Sequence, residues 1–111
     1  MRLERGVRVV TTNLIVAEAH AMLLRRAGRK AALTFVHEVR RTPNVVVASS
    51  PNYEEAAVAE WLEKFDDQLF SLTDAVSFAV MSDRGIREAL ALDHHFSVAG
   101  FEVVPANRSA T

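Results

Sequence analysis

The sequence predicts an α/β layered domain with a mainly parallel sheet, and three observations carry that expectation. Short runs rich in β-branched residues alternate with longer stretches whose apolar residues recur at helical spacing. The second such run has an all-valine centre, Val45-Val46-Val47, which suits a strand buried on both faces under covering helices. Each helical stretch is also punctuated by a capping or stop residue of the right type.

Residues 7–11 form the first predicted strand. Thr12 or Asn13 can cap the helix that follows, and Gly28 is placed to end it after Ala27. Its apolar side includes Leu14, Ile15, Ala19, Met22 and Leu23. A second helix is expected over residues 30–41, with Leu33, Val36 and Val39 recurring and Thr42-Pro43 stopping it. A one-glycine connection makes the two helices an antiparallel or steeply crossed pair. Residues 44–48 are the second strand. Ser50-Pro51 reads as a cap followed by proline at the first helical position, opening a helix to about residue 65. Residues 66–70 connect it to a helix opened by Ser71 and ended by Gly85, apolar on most sides. Residues 88–92 and 101–104 are the last two strands, Pro105 stops the second, and residues 106–111 are a polar tail. The order is β-α-α-β-α-α-β-(turn)-β within one domain, residues 1–111.

Composition narrows the function classes. The 111 residues are half apolar and one-quarter charged, ordinary for a globular domain of one modest core. There are no cysteines, which excludes disulfides and thiolate zinc sites and fits a cytoplasmic location. No apolar run approaches the roughly 18 residues of a membrane span, and the first six residues carry no signal-peptide core. A net charge of −1 leaves no general basic field, so nucleic-acid contacts would need a local patch. Arg25, Arg26, Arg29 and Lys30 supply one such cluster between the first two helices, with Arg40 and Arg41 at the end of the second. These are ordinary solvated helix ends, or a landing area for an RNA backbone or an acidic partner peptide. No glycine-rich phosphate loop and no Ser-His-Asp context is present, so nucleophilic mechanisms are poor candidates.

Three acids stand out by their neighbours. Glu18 follows Leu14 and Ile15 and precedes Ala21 and Met22, and a carboxylate on an apolar stripe needs a partner or a cation. A solvated stripe edge, or an arginine partner, explains it equally. Asp74 stands three residues after Ser71, the spacing of a capping box. A capping carboxylate can still turn an oxygen toward a metal. Asp93 follows directly on a predicted strand, where ligand sites of open α/β sheets lie, although loop aspartates also start turns. Together the three suit hard oxygen ligation of Mg²⁺ or Mn²⁺. His94 and His95 are adjacent and point apart, and His20 and His37 are helix-boundary residues.

Three segments then resemble the PIN-domain ribonucleases, particularly VapC-like toxins of toxin–antitoxin pairs. They are Val10-Thr11-Thr12-Asn13-Leu14-Ile15-Val16-Ala17-Glu18, then Ser71-Leu72-Thr73-Asp74-Ala75-Val76-Ser77-Phe78-Ala79-Val80-Met81, then Ile86-Arg87-Glu88-Ala89-Leu90-Ala91-Leu92-Asp93-His94-His95-Phe96. The resemblance implies a three-layer α/β/α fold and matches Glu18, Asp74 and Asp93 to three of the family's four acidic ligands. It implies Mg²⁺- or Mn²⁺-dependent cleavage of single-stranded RNA with water as nucleophile. Thr73, Arg84, Arg87 and His94 become candidate RNA contacts, and Asp67 adds charge near the rim. Arg25 and Arg26 become candidate contacts for an antitoxin peptide. The family's first, central strand and its terminal aspartate have no counterpart in residues 1–6. Repacking, strand exchange with a second copy as a homodimer, or a start site downstream of the real one would each account for that. Three carboxylates in place of four imply an impaired nuclease. A catalytically inactive interaction module is the rival reading, and a domain binding a phosphate-bearing small molecule near Asp93 is a third.

Overall fold

The structure is a computed structural model that describes residues 8–90 and 102–104. It contains two compact units, residues 8–49 and the described residues from Ser50 onward.

In the first unit, β1 (Val10–Thr12) leads into α1 (Asn13–Ala27), then α2 (Arg29–Val39) and β2 (Val45–Val47). Strand β1 lies later than the 7–11 expected, because Thr12 stays extended (φ −113°, ψ 159°) while its hydroxyl accepts from Ile15 N at 3.2 Å. Thr12 is therefore both the last strand residue and the helix cap. The strands pair in parallel, Val10 opposite Val45 and Thr12 opposite Val47. Two asparagines close the ends of this ladder. Asn44 Oδ1 accepts from Val9 N at 3.0 Å while its amide donates to Glu38 O at 3.2 Å; Asn13 Oδ1 accepts from Ser49 N at 2.7 Å. Burial of the valines is uneven: Val47 is buried, whereas Val45 and Val46 are half-buried.

Gly28 alone joins the two helices. At φ 94° it occupies a conformation that a side chain disfavours, and its N–H donates to Leu23 O at 3.1 Å. Helix α2 ends at Val39, two residues before the expected 41, because Arg41 N turns back onto Glu38 O, and Asn44 N then closes a turn around Pro43 onto Arg41 O.

The second unit opens with α3 (Pro51–Ala57), whose cap Ser50 accepts from Tyr53 N at 3.2 Å. The α-helix does not run to residue 65 as expected. It passes into a π turn over Val58–Leu62, closed by Glu63 N donating to Val58 O at 2.8 Å. Neither glycine nor proline marks that turn in the sequence. Trp61 within it is buried, with its ring centroid 6.0 Å from that of Phe78.

Phe78 belongs to α4 (Leu72–Arg84), the buried helix of this unit, in which every residue from Ala75 to Met81 is buried. Phe70 packs edge-on to Phe78 at 5.0 Å between centroids, and Phe65 lies 5.7 Å from Phe70. Burying Phe78 stabilises the fold by roughly 2–3 kcal/mol, and its aromatic contacts add about 1 kcal/mol each. Ser77 is the buried polar member, and its hydroxyl donates to Thr73 O at 3.0 Å. Gly85 ends α4 in the left-handed region (φ 68°), with Ile86 N reaching back to Met81 O at 2.8 Å. Strands β3 (Glu88–Leu90) and β4 (Glu102–Val104) then pair in parallel, Glu88 opposite Glu102. Among the described residues the strands form two separate pairs, β1–β2 and β3–β4.

Gly85→Ala tests the left-handed cap. Nothing lies within 4 Å of where the new Cβ would sit, so only backbone strain opposes it. Urea unfolding should show a loss of about 1–2 kcal/mol.

Candidate metal centre

Asp74 is the expected ligand whose surroundings are best defined. It is the third residue of α4, half-buried, and its carboxylate faces the helix start where aligned amides favour negative charge. The capping box predicted from sequence is present. Ser71 Oγ accepts from Asp74 N at 3.0 Å, and Asp74 Oδ2 accepts from Ser71 N at 3.4 Å. The return bond is long, near the limit of hydrogen bonding, so capping holds one oxygen loosely. Thr73 beside it is half-buried and uses its carbonyl to hold Ser77. Leu69 and Leu72, flanking the cap, are exposed, Leu69 almost wholly at 92%.

Glu18 stands at the solvated edge of its apolar stripe, one of the readings that the sequence left open. The buried residue of α1 is Val16; Leu14, Ile15 and Ala21 are half-buried, and Glu18 and Met22 are exposed. Leu14 and Ile15, one turn before Glu18, share its side of the helix, but burial along that side stops short of Glu18 and Met22. The assignment of Glu18 as a ligand rests on the resemblance alone.

Asp93, His94 and His95 lie outside the described residues. Among the described residues no three acidic or histidine side chains converge into a metal-binding group. Glu18 and Asp74 belong to different units, so each is placed only on its own helix. The donor set nevertheless fits Mg²⁺ or Mn²⁺: the expected ligands are all carboxylates, hard oxygen donors with no thiolate or imidazole among them.

The other expected contacts are all accessible. Arg84 ends α4, Arg87 lies two residues past Gly85, and Asp67 stands in the connector; all three are exposed. Arg25 and Arg26 are exposed in the last turn of α1. His20 is half-buried and His37 exposed.

Sequence reasoning missed one polar pair. Tyr53 Oη donates to Asp83 Oδ2 at 2.8 Å across α3 and α4, beside an open cleft of about 520 Å³ that Ser50, Glu60 and Ser82 also line. The Asp83 hydrogen bond, then desolvation and the Asp83 charge, hold the Tyr53 hydroxyl above its ordinary pKa of 10.0, against an opposing pull from Arg84. Thirty residues separate the partners, and no local pattern announces their meeting.

No family model matches the sequence. The chain is 41% identical over 98 residues to the 23S rRNA-specific endonuclease VapC20 of Mycobacterium tuberculosis, strains CDC 1551 and H37Rv, covering 87% of this chain and 74% of that protein. It also superposes on the crystal structure of Mycobacterium tuberculosis VapC20, described as a sarcin-ricin loop cleaving toxin. That match has a TM-score of 0.83 at 37% identity and covers 92% of this chain and 78% of the other.

The chain holds a single tyrosine, so its titration can be read directly by ultraviolet absorbance. The midpoint should lie above 10.0 and fall in Asp83→Asn. Because the folded pKa exceeds the unfolded one, the stabilisation is complete below the unfolded pKa. It is lost as pH rises through the folded value.

Proposed function

The chain belongs to the VapC-like family of PIN-domain ribonucleases, and from that premise we propose that it is a metal-dependent endoribonuclease toxin. The observation that carries the proposal is Asp74: a half-buried carboxylate at the start of the buried helix α4, positioned by its reciprocal cap with Ser71. The 41% identity to an rRNA endonuclease, and the likeness to a sarcin-ricin loop cleaving toxin, support RNA as the substrate class, with a single-stranded stretch as the proposed target.

In this reading Glu18, Asp74 and Asp93 hold Mg²⁺ or Mn²⁺. The ion, when bound, lowers the pKa of a water and stabilises charge on the phosphate under attack. The chain's own contribution is placement. Ser71 fixes the Asp74 backbone, and Ser77 fixes the carbonyl of Thr73, so the carboxylate is presented from a helix that cannot shift without disturbing the Phe78 core. Arg84, Arg87, His94 and Thr73 serve as contacts for the RNA backbone, and Asp67 contributes negative charge at the rim. An antitoxin peptide and a second copy of the chain are the proposed protein partners, in the cytoplasm.

A second reading, a non-catalytic interaction module, draws on Met22, Leu24 and Leu33. These residues of α1 and α2 are 40–46% exposed and supply apolar surface for a partner.

Asp74→Asn separates the two. The amide oxygen can still accept from Ser71 N, so thermal stability should change little. RNA cleavage should fall at least about 100-fold, as when one preorganised electrostatic group is removed from a site. Calorimetric Mn²⁺ binding should weaken in parallel. A wild-type protein that forms a stable dimer yet neither binds Mn²⁺ nor cleaves single-stranded RNA would establish the module instead.

A further inference from the structure

The tip of the helical pair carries charge that helix stability does not explain. No acid occurs between Glu18 and Glu38, whereas Arg25, Arg26, Arg29 and Lys30 fall within six residues around Gly28. All four are exposed. Arg25 and Arg26 occupy the last turn of α1, where the helix dipole favours cations. Arg29 and Lys30 do not have that excuse. They open α2, whose first turn contains no acid and whose cap, Gly28, offers no side-chain bond. Positive charge there opposes the dipole and weakens the helix by a few tenths of a kcal/mol or more per residue.

We propose that this tip is a docking surface for the phosphate backbone of a folded RNA, lying apart from Glu18 on the same unit. Arg25 is seven residues beyond Glu18 on α1, about 10 Å along the axis, and Arg29 and Lys30 lie past the turn. Arg40 and Arg41 are at the other end of α2, about 16 Å away, where Arg41 is already engaged with Glu38 at 3.4 Å. The cluster is therefore confined to the turn.

Phosphate backbone fits this surface better than an acidic peptide does. Peptide docking takes its energy from apolar anchors in pockets. Leu24 and Leu33 border the cluster, but between Arg25 and Lys30 the side chains are cationic apart from Ala27 and Gly28, and the space around Gly28 is open, with no pocket there to seat an anchor among the described residues. Phosphate contacts need only charge and N–H donors, and three guanidinium forks supply both. A two-helix tip is convex, a shape suited to a backbone rather than to a strand threaded through a cleft.

The inference takes the identity of its partner from the ribonuclease reading, and its test is a binding measurement that does not depend on cleavage. Fluorescence anisotropy would follow the full 111-residue protein binding a labelled stem-loop RNA and a single-stranded oligonucleotide of the same loop, over a salt series. Changing all four residues to Gln should weaken stem-loop binding about tenfold or more. It should also flatten the log–log salt dependence by about 0.7–0.9 per lost contact. Arg29→Glu with Lys30→Glu is the decisive variant: the new acids suit the helix dipole, so it should melt no lower than wild type, yet bind the stem-loop worst. Its affinity for the loop oligonucleotide should hold. Unchanged stem-loop affinity and salt slope would overturn the proposal, as would equal loss on both RNAs, or tighter binding of an acidic peptide than of the stem-loop at the same salt. A wild-type protein that cleaves neither RNA but loses stem-loop affinity in these variants would refute the nuclease reading and leave the docking surface standing.

Discussion

The reciprocal bonds between Ser71 and Asp74 are the constraint on which the second unit depends. They start α4 at a fixed residue, and that start sets which side chains of the helix face inward. Because seven consecutive residues from Ala75 to Met81 are buried, the helix has almost no solvated side in that stretch and tolerates little rotation. Trp61 and Phe70 pack against Phe78 from preceding segments, so the cap, the helix and the aromatic cluster form one cooperative arrangement.

The same residue has a structural and a chemical role, and the two are compatible for a physical reason. Capping needs one acceptor oxygen directed at a backbone amide, whereas a carboxylate has two oxygens and several lone pairs. The 3.4 Å return bond shows that Asp74 gives capping only a weak contact. A carboxylate anchored through its own backbone N–H at a helix start is presented from a fixed place.

The first unit is organised by different means. Its two short strands share only a three-residue ladder, and asparagine side chains extend the hydrogen bonding past both ends of it. The helical pair above them turns on a single glycine whose positive φ no other residue adopts cheaply. That economy of connection crowds four cations around one turn. It gives the tip its charge and gives α2 an unfavourable beginning.

The sequence by itself determined the order and kind of the elements, because capping, proline placement and glycine stops are local chemistry. Thr12, Ser50, Ser71, Gly28 and Gly85 act where their types require, and the family likeness was carried by three local segments around Glu18, Asp74 and Asp93. Tertiary structure decided what local pattern could not. It moved Glu18 to a solvated edge, because a helical stripe tells which residues share a face and not how far burial extends. It widened the helix after Ala57 into a π turn where Trp61 packs against Phe78. It also joined Tyr53 to Asp83, a contact fixed by how two helices lie together rather than by either sequence segment.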